Sequence, residues 1–174
     1  LILSLIIFSC DESRYIRKYK IVKSFPKKVQ SNNPEKAKHF TWAAAPNWEK
    51  GSPSTMRIGS YKVPYSDGVG DLSITHFSGD GGGVKANVDR WRSQINLSPI
   101  SLEEIMTDVI YGQSSIGSYM VIKIINNDNK SKAFLCSILS TKNSTVFIKL
   151  SVTADGVEEL LEDFKKFNSS FKYK

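Results

Sequence analysis

An α+β domain, built on an antiparallel sheet of about five to six strands and packed with helices, is what three patterns in this sequence predict. Two runs alternate apolar and polar residues with period two, Met56–Val63 and Leu72–Phe77, and they flank the turn residues Asp67-Gly68 and Val69-Gly70, as the arms of a hairpin do. Three further strand-like runs, Tyr119–Ile125, Ala133–Leu139 and Thr145–Thr153, are joined by the short polar connections Asn126–Lys130 and Thr141–Ser144. Connections that short make an antiparallel meander. Helical patterns stand apart from these strands, before the meander and after it, so helices pack on the sheet rather than alternate with its strands.

Taken in order, His39–Ala43 reads as a short strand, Pro46-Asn47-Trp48 as a turn, and Gly51–Ser54 as a Gly/Ser/Pro loop before the hairpin. Gly79-Asp80-Gly81-Gly82-Gly83 ends the second hairpin strand and opens a helix. In that helix Val84, Val88, Trp91 and Ile95 recur at i, i+4, i+7 and i+11, which places them in one apolar stripe. Pro99 stops continuation. Ser101-Leu102-Glu103-Glu104 is a capping box for a second, short helix ending near Ile110, since a serine hydroxyl and a glutamate three residues on satisfy each other's backbone amides. Gly112–Gly117 reads as a loop. The last helix carries Asp155 as its cap with Glu158 three residues on, and Val157, Leu160, Leu161, Phe164, Phe167 and Phe171 on one face. Its acids fall early and Lys165 and Lys166 late, as the helix dipole favours.

The start of the chain differs in kind. Leu1–Phe8 is apolar apart from Ser4 and gives way to Ser9-Cys10-Asp11 and a lysine-rich segment. Ile7-Phe8-Ser9-Cys10 resembles the end of a bacterial lipoprotein signal, which implies cleavage before Cys10 and a diacylglycerol on its thiol. Residues 1–9 then read as part of a signal, 10–37 as a basic tether and 38–174 as a single α+β domain. An apolar run this short does not span a bilayer, which takes about 20 residues. Of the net charge of +7, the segment from Asp11 to Ala37 holds +5, eight basic residues against three acidic ones. Positive charge beside a lipid anchor points to anionic lipid headgroups rather than nucleic acid, because two weak attachments together hold a membrane far better than either alone. Tyr15, Ile16, Tyr19, Ile21, Val22 and Phe25 are interspersed with these bases and suit docking on the domain or a partner.

The order of elements, with Pro46-Asn47-Trp48 early and Phe167-Asn168-Ser169-Ser170-Phe171 at the close, resembles the Mog1/PsbP-like fold, an α-β-α sandwich. More locally, Trp42 and Trp48 around Pro46, Met56-Arg57, Gly81-Gly82-Gly83 and Asn87-Val88-Asp89-Arg90-Trp91-Arg92-Ser93-Gln94-Ile95 are similar to the W-x-x-P-x-x-W, MR, GGG and NVNRWRxQI elements of a group of uncharacterised bacterial lipoproteins. Asp89 stands where that group has a second Asn, and one extra residue precedes Pro46. The resemblance implies fold and export, and no reaction.

Candidate sites are few. A binding surface is read from Arg57 on the first hairpin strand, from Asp80, Gly81, Gly82 and Gly83 in the glycine-rich turn, and from Asn87, Arg90 and Gln94 on the helix that follows. Backbone amides at a helix start attract anions, although Asp80 places a carboxylate beside them and the turn lacks the Lys-Ser/Thr of a P-loop. A structural reading of Asn87 and Arg90 competes, in which they tie the helix to the turn. Catalytic and metal sites are expected to be absent: His39 and His76 lack ligand spacing, Cys136 sits in a strand as a small hydrophobe, and no Gly-x-Ser-x-Gly elbow holds a nucleophile. With Cys10 acylated, Cys136 has no disulfide partner. The function expected is that of a lipid-anchored accessory or binding protein facing the periplasm or exterior. It would have a membrane and an envelope protein as partners, no cofactor, no nucleic acid and no catalysis. The alternatives are an anion or small-molecule binder using Gly79–Gly83 with Asn87 and Arg90, and a hydrolase built on a histidine.

Overall fold

A computed structural model describes residues 40–52 and 54–174, all within one compact unit. The expected signal, Cys10, the expected tether and His39 lie outside the described residues. The domain is α+β. Seven strands form one antiparallel sheet in the order β2 (Glu49–Lys50), β3 (Gly59–Tyr65), β4 (Gly68–Ser78), β8 (Ser144–Val152), β7 (Ala133–Ser140), β6 (Gly117–Ile125), β5 (Ile110–Ser114). A separate two-stranded ribbon pairs β1 (Phe40–Thr41) with β9 (Lys172–Tyr173).

The count exceeds the expected five to six because both outer strands escape the pattern. β2 is two exposed charged residues. β5 takes up Gly112–Ser114, half of what reads as a Gly112–Gly117 loop, and turns at Ser115-Ile116 into β6. Edge strands are covered on one side at most, so they carry little apolar alternation. Within the hairpin the two turn residues are Ser66 and Asp67, so of the expected turn only Asp67 turns the chain, and β4 begins at Gly68. Gly70 is a strand residue, where a Cβ would stand 2.7 Å from a Val152 methyl. There glycine serves close packing rather than turning.

Helices cover both sheet faces, which makes an α-β-α sandwich. On one face, Val157, Leu160, Phe164 and Phe167 of α3 (Ala154–Ser169) join Val63, Leu72, Ile74, Leu135, Ile148 and Leu150 in a core that also takes in Trp48 and Phe171. On the other, Val88 and Trp91 of α1 (Val84–Ser93) and Ile105 of α2 (Leu102–Thr107) pack on Ile122, Ile124, Phe134, Cys136, Ile138 and Phe147. β7, covered on both sides, is buried at every position but its last, as a central strand between two helical layers must be.

Caps follow local chemistry with one exception. The Ser101–Glu104 box forms, with Glu104 N–H donating to Ser101 Oγ at 3.1 Å and Ser101 N–H to Glu104 Oε2 at 2.8 Å. α2 stops at Thr107 rather than near Ile110, because Ile110 already pairs Val121 in the sheet. On α3 the cap is Thr153, whose hydroxyl accepts from Gly156 N–H at 3.3 Å, and not Asp155. β8 runs to Val152, so the helix starts at once and Asp155 falls in its first turn, where a carboxylate still suits the dipole. Phe171 lies past the helix end yet is fully buried, stacked on Trp42 with ring centroids 5.2 Å apart.

Candidate functional site

The residues picked from the sequence separate into two clusters at opposite ends of α1. At its start, four glycines hold positive φ, Gly79, Gly81, Gly82 and Gly83, a backbone path that side-chain-bearing residues rarely follow. The turn is closed on itself. Asp80 Oδ1 accepts from Gly82 N–H at 3.0 Å, and Thr145 Oγ1 donates to Gly79 O at 2.8 Å. Asn87 is 1% exposed, and its Nδ2 donates to Gly81 O at 3.0 Å and Gly83 O at 2.6 Å while its Oδ1 accepts from Arg90 at 2.8 Å. Those bonds use all of the Asn87 amide donors, so the cluster binds the helix to its own turn. The Asp80 carboxylate beside the same amides opposes an incoming anion.

Gln94, past the last turn of α1, belongs to a different group. Its Oε1 accepts from Lys149 Nζ at 2.7 Å, and Lys149 lies 4.6 Å from the centroid of the Phe134 ring. Burial lowers the Lys149 pKa from the ordinary lysine value, and the cations Lys132 and Arg57 push the same way, against the opposing pulls of Cys136 and Asp71. Arg57 makes a two-pronged pair with Asp71, both N–H···O distances 2.8 Å, and donates to Ser60 Oγ at 3.0 Å. Hydrogen bonding to Asp71 raises the Arg57 pKa. Strand register explains the assembly: Ser60 pairs Ser73, and Ser73 pairs Lys149, so one polar row crosses β3, β4 and β8 on the α1 side of the sheet.

Asp71, Lys149 and Ser60 carry no motif that marks them in the sequence as members of this group. A signal existed in the polar residues at alternate positions of β4 (Asp71, Ser73, Thr75). Only the β4–β8 pairing sets Lys149 among them.

Arg57 also borders a cleft of about 450 Å³ between Phe40–Trp42 and the stretch from Lys50 to Tyr61. Trp42 forms one wall. Its Nε1 donates to Tyr61 Oη at 2.8 Å, and a Cβ at Gly59 would stand 2.6 Å from its ring, so only glycine leaves room there. Lys50 and Lys174, both exposed, join Arg57 as cations of the lining. The half-buried Thr41 lines it too, and its enclosed Oγ1 has no hydrogen-bond partner among the described residues.

The remaining reactive groups sit in packed surroundings. Cys136 is fully buried, and desolvation holds its thiol far above the ordinary range, which keeps it protonated and unreactive. His76 is 9% exposed with Phe40 edge-on at 5.1 Å. Among the described residues no group of three or more His, Cys, Asp or Glu side chains could hold a metal ion, and no helix is long and apolar enough to cross a membrane.

No protein-family model matches the chain, and no curated protein matches it in sequence. Among solved structures it is similar to a protein from Bacteroides thetaiotaomicron VPI-5482 (12% identity, TM-score 0.47, 78% of this chain and 45% of that one). It is similar to cyanobacterial PsbP (CyanoP) from Synechocystis sp. PCC 6803 (13%, TM-score 0.45, 80% and 88%). It is also similar to LpqN, involved in cell envelope biogenesis of Mycobacterium tuberculosis (9%, TM-score 0.46, 78% and 83%). The chain thus spans less than half the length of the Bacteroides protein.

Proposed function

We propose that the chain is a lipid-anchored accessory protein of the bacterial cell envelope, held by acylated Cys10 and its basic tether. Its Mog1/PsbP-like domain faces the periplasm or exterior and binds a protein partner of a membrane or envelope complex rather than catalysing a reaction. The observation that carries this reading is the adjacency of the apolar run, Cys10 and a segment of charge +5. Lipid and polybasic segment together give stable attachment to anionic membranes. Two features of the domain support binding over chemistry. Its one described cysteine is enclosed and held protonated, and its one described imidazole is buried against an aromatic ring.

Metabolic labelling of cells with a palmitate analogue tests the anchor. The wild-type chain is expected to take up label and to fractionate with membranes, and Cys10→Ala to lose the label and move to the soluble fraction. An unlabelled wild type, or a Cys10→Ala variant that stays on the membrane, would sink the anchor. Purification from mild detergent should then recover a stoichiometric envelope protein.

A further inference from the structure

The sequence pointed to the glycine-rich turn as a place for a ligand, but the geometry points elsewhere. We propose that the cleft beside Trp42 binds an amphipathic anion, a carboxylate or phosphate monoester carried on an apolar or ring-shaped body. Its volume of about 450 Å³ lies within the usual range of small-molecule sites.

Charge selects the acid group. Lys50, Arg57 and Lys174 border the cleft, and none of the described carboxylate side chains lines it. Arg57 is balanced by Asp71, whereas Lys50 and Lys174 enter no salt bridge among the described residues.

The apolar wall selects the body. Trp42 is fixed before any ligand arrives, by its bond to Tyr61, its stack on Phe171 and the bare backbone of Gly59. Pre-set walls reduce the ordering cost of binding. A bare inorganic anion would leave this wall unused, and a neutral ring would leave the cations unused. The residues that line the cleft all belong to the described domain.

Titration calorimetry on the full chain tests it, with 1-naphthyl phosphate and octanoate as probes and 1-naphthol and inorganic phosphate as controls. At least one amphipathic anion is expected to saturate the protein at least about tenfold more tightly than either control; which of the two does so identifies a ring or an acyl body. Combining Lys50→Glu with Lys174→Glu should weaken that binding by at least about tenfold, the loss expected for one charge-assisted contact. Both lysines are exposed, so the circular dichroism spectrum should not change. The proposal is overturned if neither probe outbinds the controls, if inorganic phosphate binds as well as its naphthyl ester, or if the double variant binds as the wild type does.

Discussion

The two faces of the central sheet are packed by different rules. The α3 face is closed by aromatic rings: Phe164, Phe167 and Phe171 are 0, 2 and 0% exposed, and Phe167 lies 5.0 Å from Trp48 and 5.5 Å from Phe171. The α1–α2 face begins in the same way at Trp91, Phe134 and Phe147, then gives over to Lys149, Gln94, Arg57 and Asp71 toward β3 and β4. Buried apolar area stabilises roughly in proportion to its extent, whereas partly exposed charge pairs add little. The first face therefore holds the fold together, and the second has room for polar chemistry that the fold does not need.

Three substitutions test this contrast. Phe164→Ala removes a fully buried ring from the α3 face and should destabilise by about 3–5 kcal/mol in urea unfolding; a loss near zero would contradict the assignment of the main core to that face. Asn87→Ala on the other side leaves the Gly81 and Gly83 carbonyls without their donor and should cost about 1–3 kcal/mol. That loss should come with faster amide exchange in Gly79–Gly83, and unchanged exchange there would mean the turn stands without the asparagine.

Lys149→Met keeps an unbranched stem over Phe134 and removes the charge. Because the folded-state pKa of Lys149 is depressed by burial, holding its proton opposes folding at neutral pH. The variant should therefore gain stability at pH 7. The gain should shrink as pH rises through the depressed value, and should vanish above the ordinary lysine pKa of about 10.4. A difference in Tm that does not change with pH would show that charge is not what Lys149 contributes.

Much of this was readable from local pattern. The α3 stripe, the hairpin arms, the three meander strands and the Ser101–Glu104 box all rest on contacts between residues close in sequence, where periodicity and capping chemistry act directly. Elements that exist only through a distant partner were not readable: β9 pairs with β1 from the other end of the domain, and β2 and β5 are strands because β3 and β6 accept them. The site divides in the same way. Asn87 and its turn lie within one local stretch, whereas Arg57 needs Asp71 across a hairpin and Gln94 needs Lys149 from the far side of the meander.

By itself the sequence determined the α+β class, the helix faces and the concentration of basic charge before residue 38, because each follows from composition or from spacing along one element. Tertiary structure alone decided which polar residues meet. Strand register set Ser60, Ser73 and Lys149 in one row. Closure of β1 on β9, with Trp42 stacked on Phe171, put an aromatic wall beside Arg57. Side chains far apart in sequence are brought together only when apolar burial elsewhere fixes how the elements pair, so the glycine-rich turn could be seen in the sequence and the cleft could not.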